Sequence, residues 1–287
     1  MNRHFDDLTD DYRLLAAGFE PGEEFLEPQG DEAAVDSDGL LRAAAKTGKV
    51  YSNKVPPTIR PEAKGSAVKF LQTRLNRVGQ CAPTVDGVMG GQSVQAVKDF
   101  QSVQSLTADG VAGTATWEKL LNGGGRLIRY EQRDKRWANI MYSAKGDKSQ
   151  TIGTSGCGPT SLCIALSMLG RIVEPPELCE YAVKHGHRTA SSGTAHAFFN
   201  PAAQQYGCRA LSLKGTDAAI EALGEGWPVI ASMGKGDYTN GGHYICIRDY
   251  DPYSEMFYTV DPYSTSRNSC AKIVISGQSK ALWQVRD

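Results

Sequence analysis

Cys157 sits in the run Gly153-Thr154-Ser155-Gly156-Cys157-Gly158-Pro159-Thr160-Ser161, ahead of the apolar stretch Leu162 to Leu169. The pattern reads as a glycine-rich loop that hands a cysteine to the start of a helix. Pro159 suits a first helical turn, where a missing N–H costs nothing and the fixed φ is already helical. Leu162, Ala165, Leu166 and Leu169 recur at helical spacing, which predicts one core-facing side. A thiol so placed meets unpaired backbone N–H groups and the positive helix end, which favour an anion. Such surroundings lower a thiol pKa from about 8.5 toward the reactive thiolate. An inert, buried cysteine at a tight turn is the competing reading.

A nucleophilic thiol needs a base, and the base needs a group that orients it. The chain holds five histidines. His4 lies in an acidic leading segment, His185 and His187 flank Gly186 at a helix end, and His196 stands close to Phe198 and Phe199, where packing explains it equally well. His243 differs, because it follows Gly241-Gly242 and opens a strand-like stretch to Asp249. A second strand, Met256 to Asp261, follows the turn-rich Tyr250-Asp251-Pro252-Tyr253-Ser254. A hairpin centred near residue 252 sets His243 opposite Asp261, with Cβ atoms about 4.5–5.5 Å apart. A slip of one residue would turn Asp261 to the other face, so the pairing depends on register. Asp249 and Asp251 compete for the role, although Asp251 before Pro252 is more simply a turn residue.

The elements around these residues divide the chain into parts. Residues 1–60 form an acidic lead and a proline-stiffened linker, Val55-Pro56-Pro57-Thr58-Ile59-Arg60-Pro61, whose fold and role are not legible. Residues 61–122 change character: Val68, Leu71 and Leu75, then Ala96, Val97 and Phe100, recur at helical spacing. Asp86-Gly87 and Asp109-Gly110 each precede a short glycine-containing loop, then Ser93 or Thr116 near a helix start, so the halves read as a degenerate repeat. Gly123-Gly124-Gly125 reads as a flexible joint within 123–127. Residues 128–287 suffice for one α+β domain with a sizeable core.

Composition narrows the function classes. Lys+Arg 31 against Asp+Glu 32 gives a net charge of −1, so there is no basic field and no expectation of nucleic acid. No apolar run approaches the roughly 20 residues that span a membrane, so no membrane insertion is expected. The start Met1-Asn2-Arg3-His4-Phe5-Asp6-Asp7 lacks an apolar signal-peptide core, which predicts synthesis in the cytoplasm and release by another route. The seven cysteines include no CxxC pair, so neither a metal site nor a redox motif is spelled out, and no cofactor is expected.

Two resemblances add to this reading. Val68-Lys69-Phe70-Leu71-Gln72 through Leu75-Asn76, Val85-Asp86-Gly87-Val88-Met89-Gly90, Ala96-Val97-Lys98-Asp99-Phe100-Gln101, Ala108-Asp109-Gly110-Val111-Ala112-Gly113 and Thr116-Trp117 resemble a peptidoglycan-binding domain of the small three-helix type. Cys81-Ala82-Pro83 departs from that pattern, and a plain helical spacer is the alternative. The resemblance implies an all-α wall anchor with bacterial peptidoglycan as partner.

Tyr130-Glu131-Gln132-Arg133-Asp134, Trp137, Thr151-Ile152-Gly153 with Gly156 to Ser161, Gly241-Gly242-His243 and Val260-Asp261-Pro262 resemble the papain-like cysteine peptidases related to bacteriocin-leader-processing enzymes. That resemblance implies Cys157 as nucleophile, His243 as base and then acid, Asp261 as orienter, and Gln132 as an oxyanion donor beside the Cys157 N–H. Locally, Gln132 reads equally as a surface residue before a turn. Trp137, Tyr238 and Tyr244 are candidates for the substrate cleft, with lid packing as the alternative. Together the two resemblances imply an endolysin-like peptidoglycan hydrolase that cleaves an amide of the stem peptide or cross-bridge at the bacterial wall. An N-acetylmuramoyl-L-alanine amidase, a wall-tethered protease acting on proteins and a non-catalytic wall-binding protein are the alternatives.

Overall fold

Strand-forming residues of the second half assemble into an antiparallel sheet, and the computed structural model describes it together with residues 50–51, 55–79, 84–190 and 193–287. The acidic lead with His4, and Cys81-Ala82-Pro83, lie outside the described residues. The strands are β1 (Val50–Tyr51), β2 (Arg209–Leu213), β3 (Val229–Met233), β4 (His243–Asp251), β5 (Met256–Val260), β6 (Ser269–Ala271) and β7 (Ser279–Arg286). Among the described residues they form a seven-stranded sheet in the order β1-β6-β5-β4-β3-β7-β2. Strands β3, β4 and β5 are buried along their whole length, as strands covered on both faces must be.

Three helices precede the sheet's main body: α1 (Ser66–Arg77), α2 (Gly91–Val103) and α3 (Thr114–Leu121). They enclose their own core of Val68, Leu71, Leu75, Val97, Phe100 and Trp117. The predicted repeat is visible atom by atom. Gln72 Nε2 donates to Asp86 Oδ1, the Val88 carbonyl and Ser93 Oγ, while Gly87 N–H donates to Gln72 Oε1. Gln101 makes the same set with Asp109 Oδ1, the Val111 carbonyl, Thr116 Oγ1 and Gly110 N–H. Each buried amide is thus saturated by a loop that an Asp-Gly turn folds back onto its helix. Gly87 and Gly110 adopt φ of +81° and +76°, which L side chains rarely take.

The second group is α4 (Ile152–Ser155), α5 (Cys157–Met168), α6 (Pro175–Lys184), α7 (Phe199–Gln204), α8 (Gly215–Gly224) and α9 (Lys272–Gln278). Helix α5 is buried at all twelve positions rather than along the one predicted face, because the sheet, α6 and α7 leave it no solvent side. Its neighbours include Tyr244 and Cys246 of β4, while Ile245 and Ile247 join a second core with α8 and α9. Strand β4 therefore divides two cores.

The triglycine is an ordered turn rather than a flexible joint. Gly123, Gly124 and Gly125 all take positive φ, their N–H groups donate to the Leu120, Lys119 and Asn122 carbonyls, and Gln104 Nε2 donates to the Gly124 carbonyl.

Candidate active site

The expected glycine-rich loop before Cys157 is a single helical turn, α4, closed by a capping box between Thr151 and Thr154. Gly156 joins it to α5, and Cys157 is the first residue of the longer helix. The glycines are needed for close approach. A Cβ on Gly156 would meet the Ile152 carbonyl oxygen at 2.6 Å, and one on Gly158 would meet Thr194 Cβ at 2.8 Å. Pro159 falls in the first turn as predicted. Thr194 is pinned in turn, since Tyr142 Oη lies 2.7 Å from its Oγ1 and Tyr244 Oη donates to its carbonyl.

The sheet brings His243 to this helix start. Tyr244 N–H, one residue along β4, points at Cys157 Sγ at 3.4 Å. His243 Nε2 lies 2.7 Å from Asp261 Oδ1, and both side chains are fully buried. A carboxylate only accepts, so Nε2 carries the proton and Nδ1 is the basic nitrogen. Nδ1 is buried and has no hydrogen-bond partner among the described residues.

The hairpin that joins them differs from the expected one. Near the turn, Asp251 pairs with Met256 and Asp249 with Tyr258. A bulge between Ile247 and Asp249 then shifts the register, so that Cys246 pairs with Val260. Continued past the end of β5, that register puts Asp261 across from Ile245, two residues from His243 and on the same face. Without the bulge, Asp261 would face the other side. The contact is therefore diagonal rather than directly opposed. The competing carboxylates have other tasks: Asp249 pairs with Arg74, and Asp251 accepts from Tyr253 N–H and Ser254 Oγ in the turn.

Asp261 has two further neighbours of consequence. Tyr263 N–H donates to Oδ1 at 2.8 Å, and Arg267 Nη1 donates to Oδ2 at 3.3 Å. Tyr263 also sets its ring edge toward His243, with centroids 6.3 Å apart. Burial pushes the Asp261 carboxyl up, but His243, Arg267 and the Tyr263 N–H outweigh it and hold the group below the usual carboxylate range. Arg267 and Tyr263 escape a reading of the sequence because they sit in an aperiodic loop, where spacing carries no spatial information.

Gln132 is buried, which removes the surface alternative. Its N–H donates to the Pro262 carbonyl beside Asp261, and its Nε2 donates to the Gly153 carbonyl at 3.1 Å. The chain around Gln132 thus touches both halves of the site. Trp137, Tyr238 and Tyr244 are also buried. Trp137 and Tyr244 belong to the core around α5, and Tyr238 to the second core with its hydroxyl 2.9 Å from Thr259 Oγ1. Their rings fill the interior instead of lining an open cleft. His196 packs edge-on against Trp283 at 5.0 Å, and His185 stacks on Tyr181 at a helix end.

Among the described residues, no group of three or more His, Cys, Asp or Glu could hold a metal ion, and no helix is long and apolar enough to cross a membrane.

Comparison with known proteins assigns both halves. Residues 64–120 match the model of a putative peptidoglycan binding domain, and residues 129–286 match that of the Peptidase_C39 like family. An uncharacterized protein in the bpoA1 3′ region of Kitasatospora aureofaciens is 34% identical over 108 residues, 37% of this chain and 81% of that protein. The peptidase domain of Streptococcus ComA, a bifunctional ABC transporter of a quorum-sensing pathway, is 20% identical over 46% of this chain and 92% of its own, with a TM-score of 0.39. A peptidoglycan-binding protein from Clostridioides difficile is 37% identical over 23% of this chain and 40% of its own, with a TM-score of 0.22. The match over residues 129–286 spans more than half of the molecule, and the chain belongs to the Peptidase_C39 like family, its papain-like peptidase domain preceded by a small all-α peptidoglycan-binding domain.

Proposed function

We propose that this wall-binding cysteine peptidase is an endolysin-like peptidoglycan hydrolase that cleaves an amide bond of the stem peptide or cross-bridge. The observation that carries the chemistry is the buried His243–Asp261 pair, which leaves Nδ1 as the basic nitrogen on the strand whose next N–H meets Cys157 Sγ. In this reading Nδ1 takes the Cys157 proton and the thiolate attacks the amide carbonyl. The imidazolium, stabilised by Asp261, then protonates the leaving amine. The acyl-enzyme is hydrolysed by water with His243 as base. Charge develops on the carbonyl oxygen, and the Cys157 N–H with the second Nε2 hydrogen of Gln132 are the donors assigned to it. The peptidoglycan-binding domain supports the choice of substrate, since anchoring raises the local concentration of the bonds within reach.

The test uses the full chain and its Cys157→Ala variant on purified cell walls, with mass spectrometry of the released fragments. New termini within the stem peptide or cross-bridge are the expected result, absent with the variant. Lactoyl groups freed of L-alanine would instead identify an amidase acting through the same thiol. Equal release by both proteins would overturn the thiol mechanism.

A further inference from the structure

Arg267 occupies a position that the chemistry above does not use. Its Nη1 donates to two acceptors, Asp261 Oδ2 at 3.3 Å and the Tyr238 carbonyl at 2.6 Å. Asp261 follows β5 directly, and Tyr238 lies in the segment that runs through Gly241-Gly242 into His243 at the start of β4. One guanidinium nitrogen therefore ties together the chain segments that deliver the two members of the buried pair. The tie is itself braced. Thr259 Oγ1 donates to the Arg267 carbonyl at 3.0 Å and lies 2.9 Å from the Tyr238 hydroxyl, and Thr259 N–H donates to the Asn268 carbonyl. The Arg267 side chain is only 16% exposed, so its charge is weakly screened by solvent.

We infer that Arg267 is a positioning residue of the proposed thiol site: it fixes Asp261 relative to His243 and supplies the positive charge that biases the site toward a thiolate. The inference rests on the reading of Cys157, His243 and Asp261 given above. A planar guanidinium suits the task, because it stays charged and reaches two acceptors from one rigid group. The groups that face the pair are few. Among the described residues they are the Cys157 thiol from α5, met by the N–H next to His243, the Tyr238 phenol, which feels the Asp261 charge, and Arg267 itself, while Arg133 lies one ring further out, 5.0 Å from the Tyr263 ring centroid. Asp237 adjoins Tyr238 and is engaged by Gln278.

The sign of the effect follows from charge alone. Removing a fixed cation makes the thiolate less favourable, so the thiol loses its proton at higher pH. The experiment compares the full chain, Arg267→Gln and Arg267→Lys by ultraviolet thiolate absorbance against pH, each referenced to its Cys157→Ser counterpart, with kcat/KM on cell walls in parallel. Arg267→Gln should raise the thiolate midpoint by about 0.5–1 pH unit and lower kcat/KM by about tenfold or more. Arg267→Lys should restore the midpoint while leaving the rate a few-fold low, because the charge returns without the two-acceptor bridge. An Arg267→Gln midpoint equal to that of the unaltered chain overturns the inference. Should that variant not fold, Arg267→Lys decides: a full unaltered rate overturns the positioning role, and a reduced rate at an unaltered midpoint upholds it. Absence of any thiolate below the ordinary thiol range in the unaltered chain would instead sink the thiol reading itself.

Discussion

Asp261 concentrates the energetics of the site into one side chain. It is fully buried, and an isolated buried carboxylate would take up a proton rather than stay charged. His243, Arg267 and the Tyr263 N–H reverse that tendency and depress its pKa. Asp261→Asn preserves the shape but offers Nε2 an amide where it needs an acceptor, so the imidazole is free to take the wrong tautomer. We expect kcat to fall by about 10³–10⁴-fold with little change in KM, measured on purified walls at neutral pH. A fall of less than tenfold would mean that Asp261 does not orient the base. The depressed pKa has a sign in stability as well. The contribution is present above the usual carboxylate range near 4 and is lost as pH falls through the lower folded value. Acid unfolding followed by circular dichroism should therefore steepen in the unaltered chain below about pH 4 and lose that dependence in Asp261→Asn. Of these residues, Cys157 and His243 were legible from glycine and strand signals that act locally, whereas Asp261 was legible only as a carboxylate across the turn, because an unmarked bulge in β4 sets its face. Arg267 was not, because the contact crosses an irregular loop.

At the scale of elements, two short signals decide the geometry. The Asp-Gly pairs were readable because each does the same local work: the carboxylate caps its own turn while the glycine lets the backbone approach the preceding helix. What the sequence concealed was the partner, Gln72 or Gln101, which sits one face away on a helix and looks like any polar residue there. Each glutamine is buried, and its loss leaves the Asp, the carbonyl and the hydroxyl it served without that donor. We expect Gln101→Leu to destabilise the helical domain by about 2–4 kcal/mol, read by chemical denaturation, and to weaken co-sedimentation with cell walls. Unchanged stability would show that the repeat is held by apolar packing alone. The bulge in β4 was equally hidden. It has no glycine or proline to mark it, yet it sets which face Asp261 takes. Moving one residue out of Ile247–Asp249 would rotate the carboxylate away while leaving every pair near the turn intact.

The whole molecule departs most from what composition implied, since a binding module on a flexible glycine joint was the natural expectation. Strand β1 pairs with β6 at the sheet edge before the chain enters the helical domain, so that domain is bracketed in sequence by two segments of the peptidase sheet. Contacts fill the space between. Arg74 of α1 forms a two-pronged ion pair with Asp249 of β4, and both side chains are buried. Arg77 reaches Asp249 Oδ1 at 3.4 Å and the Leu223 carbonyl at 3.1 Å. Arg248 bonds to Asn122 and lies 3.6 Å from Glu118, while Tyr258 of β5 packs into the helical domain's own core. Burial works against both cations and pulls the Arg74 and Arg248 guanidinium groups down to about 10, so the ion pairs must compensate that desolvation. Such pairs cost most when only one partner is removed. Arg74→Met and Asp249→Leu should each destabilise the full chain by about 3–5 kcal/mol, or roughly 10 °C in Tm, whereas the double variant should recover most of the loss. Equal, additive losses in the double-mutant cycle would show that the two residues act independently. The same logic forbids treating the halves as separable: excising residues 64–121 would leave Asp249 without either arginine and uncover Tyr258. The excised protein should then unfold at a lower temperature than the full chain, so weaker wall hydrolysis by it would report damage to the peptidase as well as loss of the anchor. Calorimetry of the full chain is the direct check, because docked domains unfold in one transition and independent domains in two.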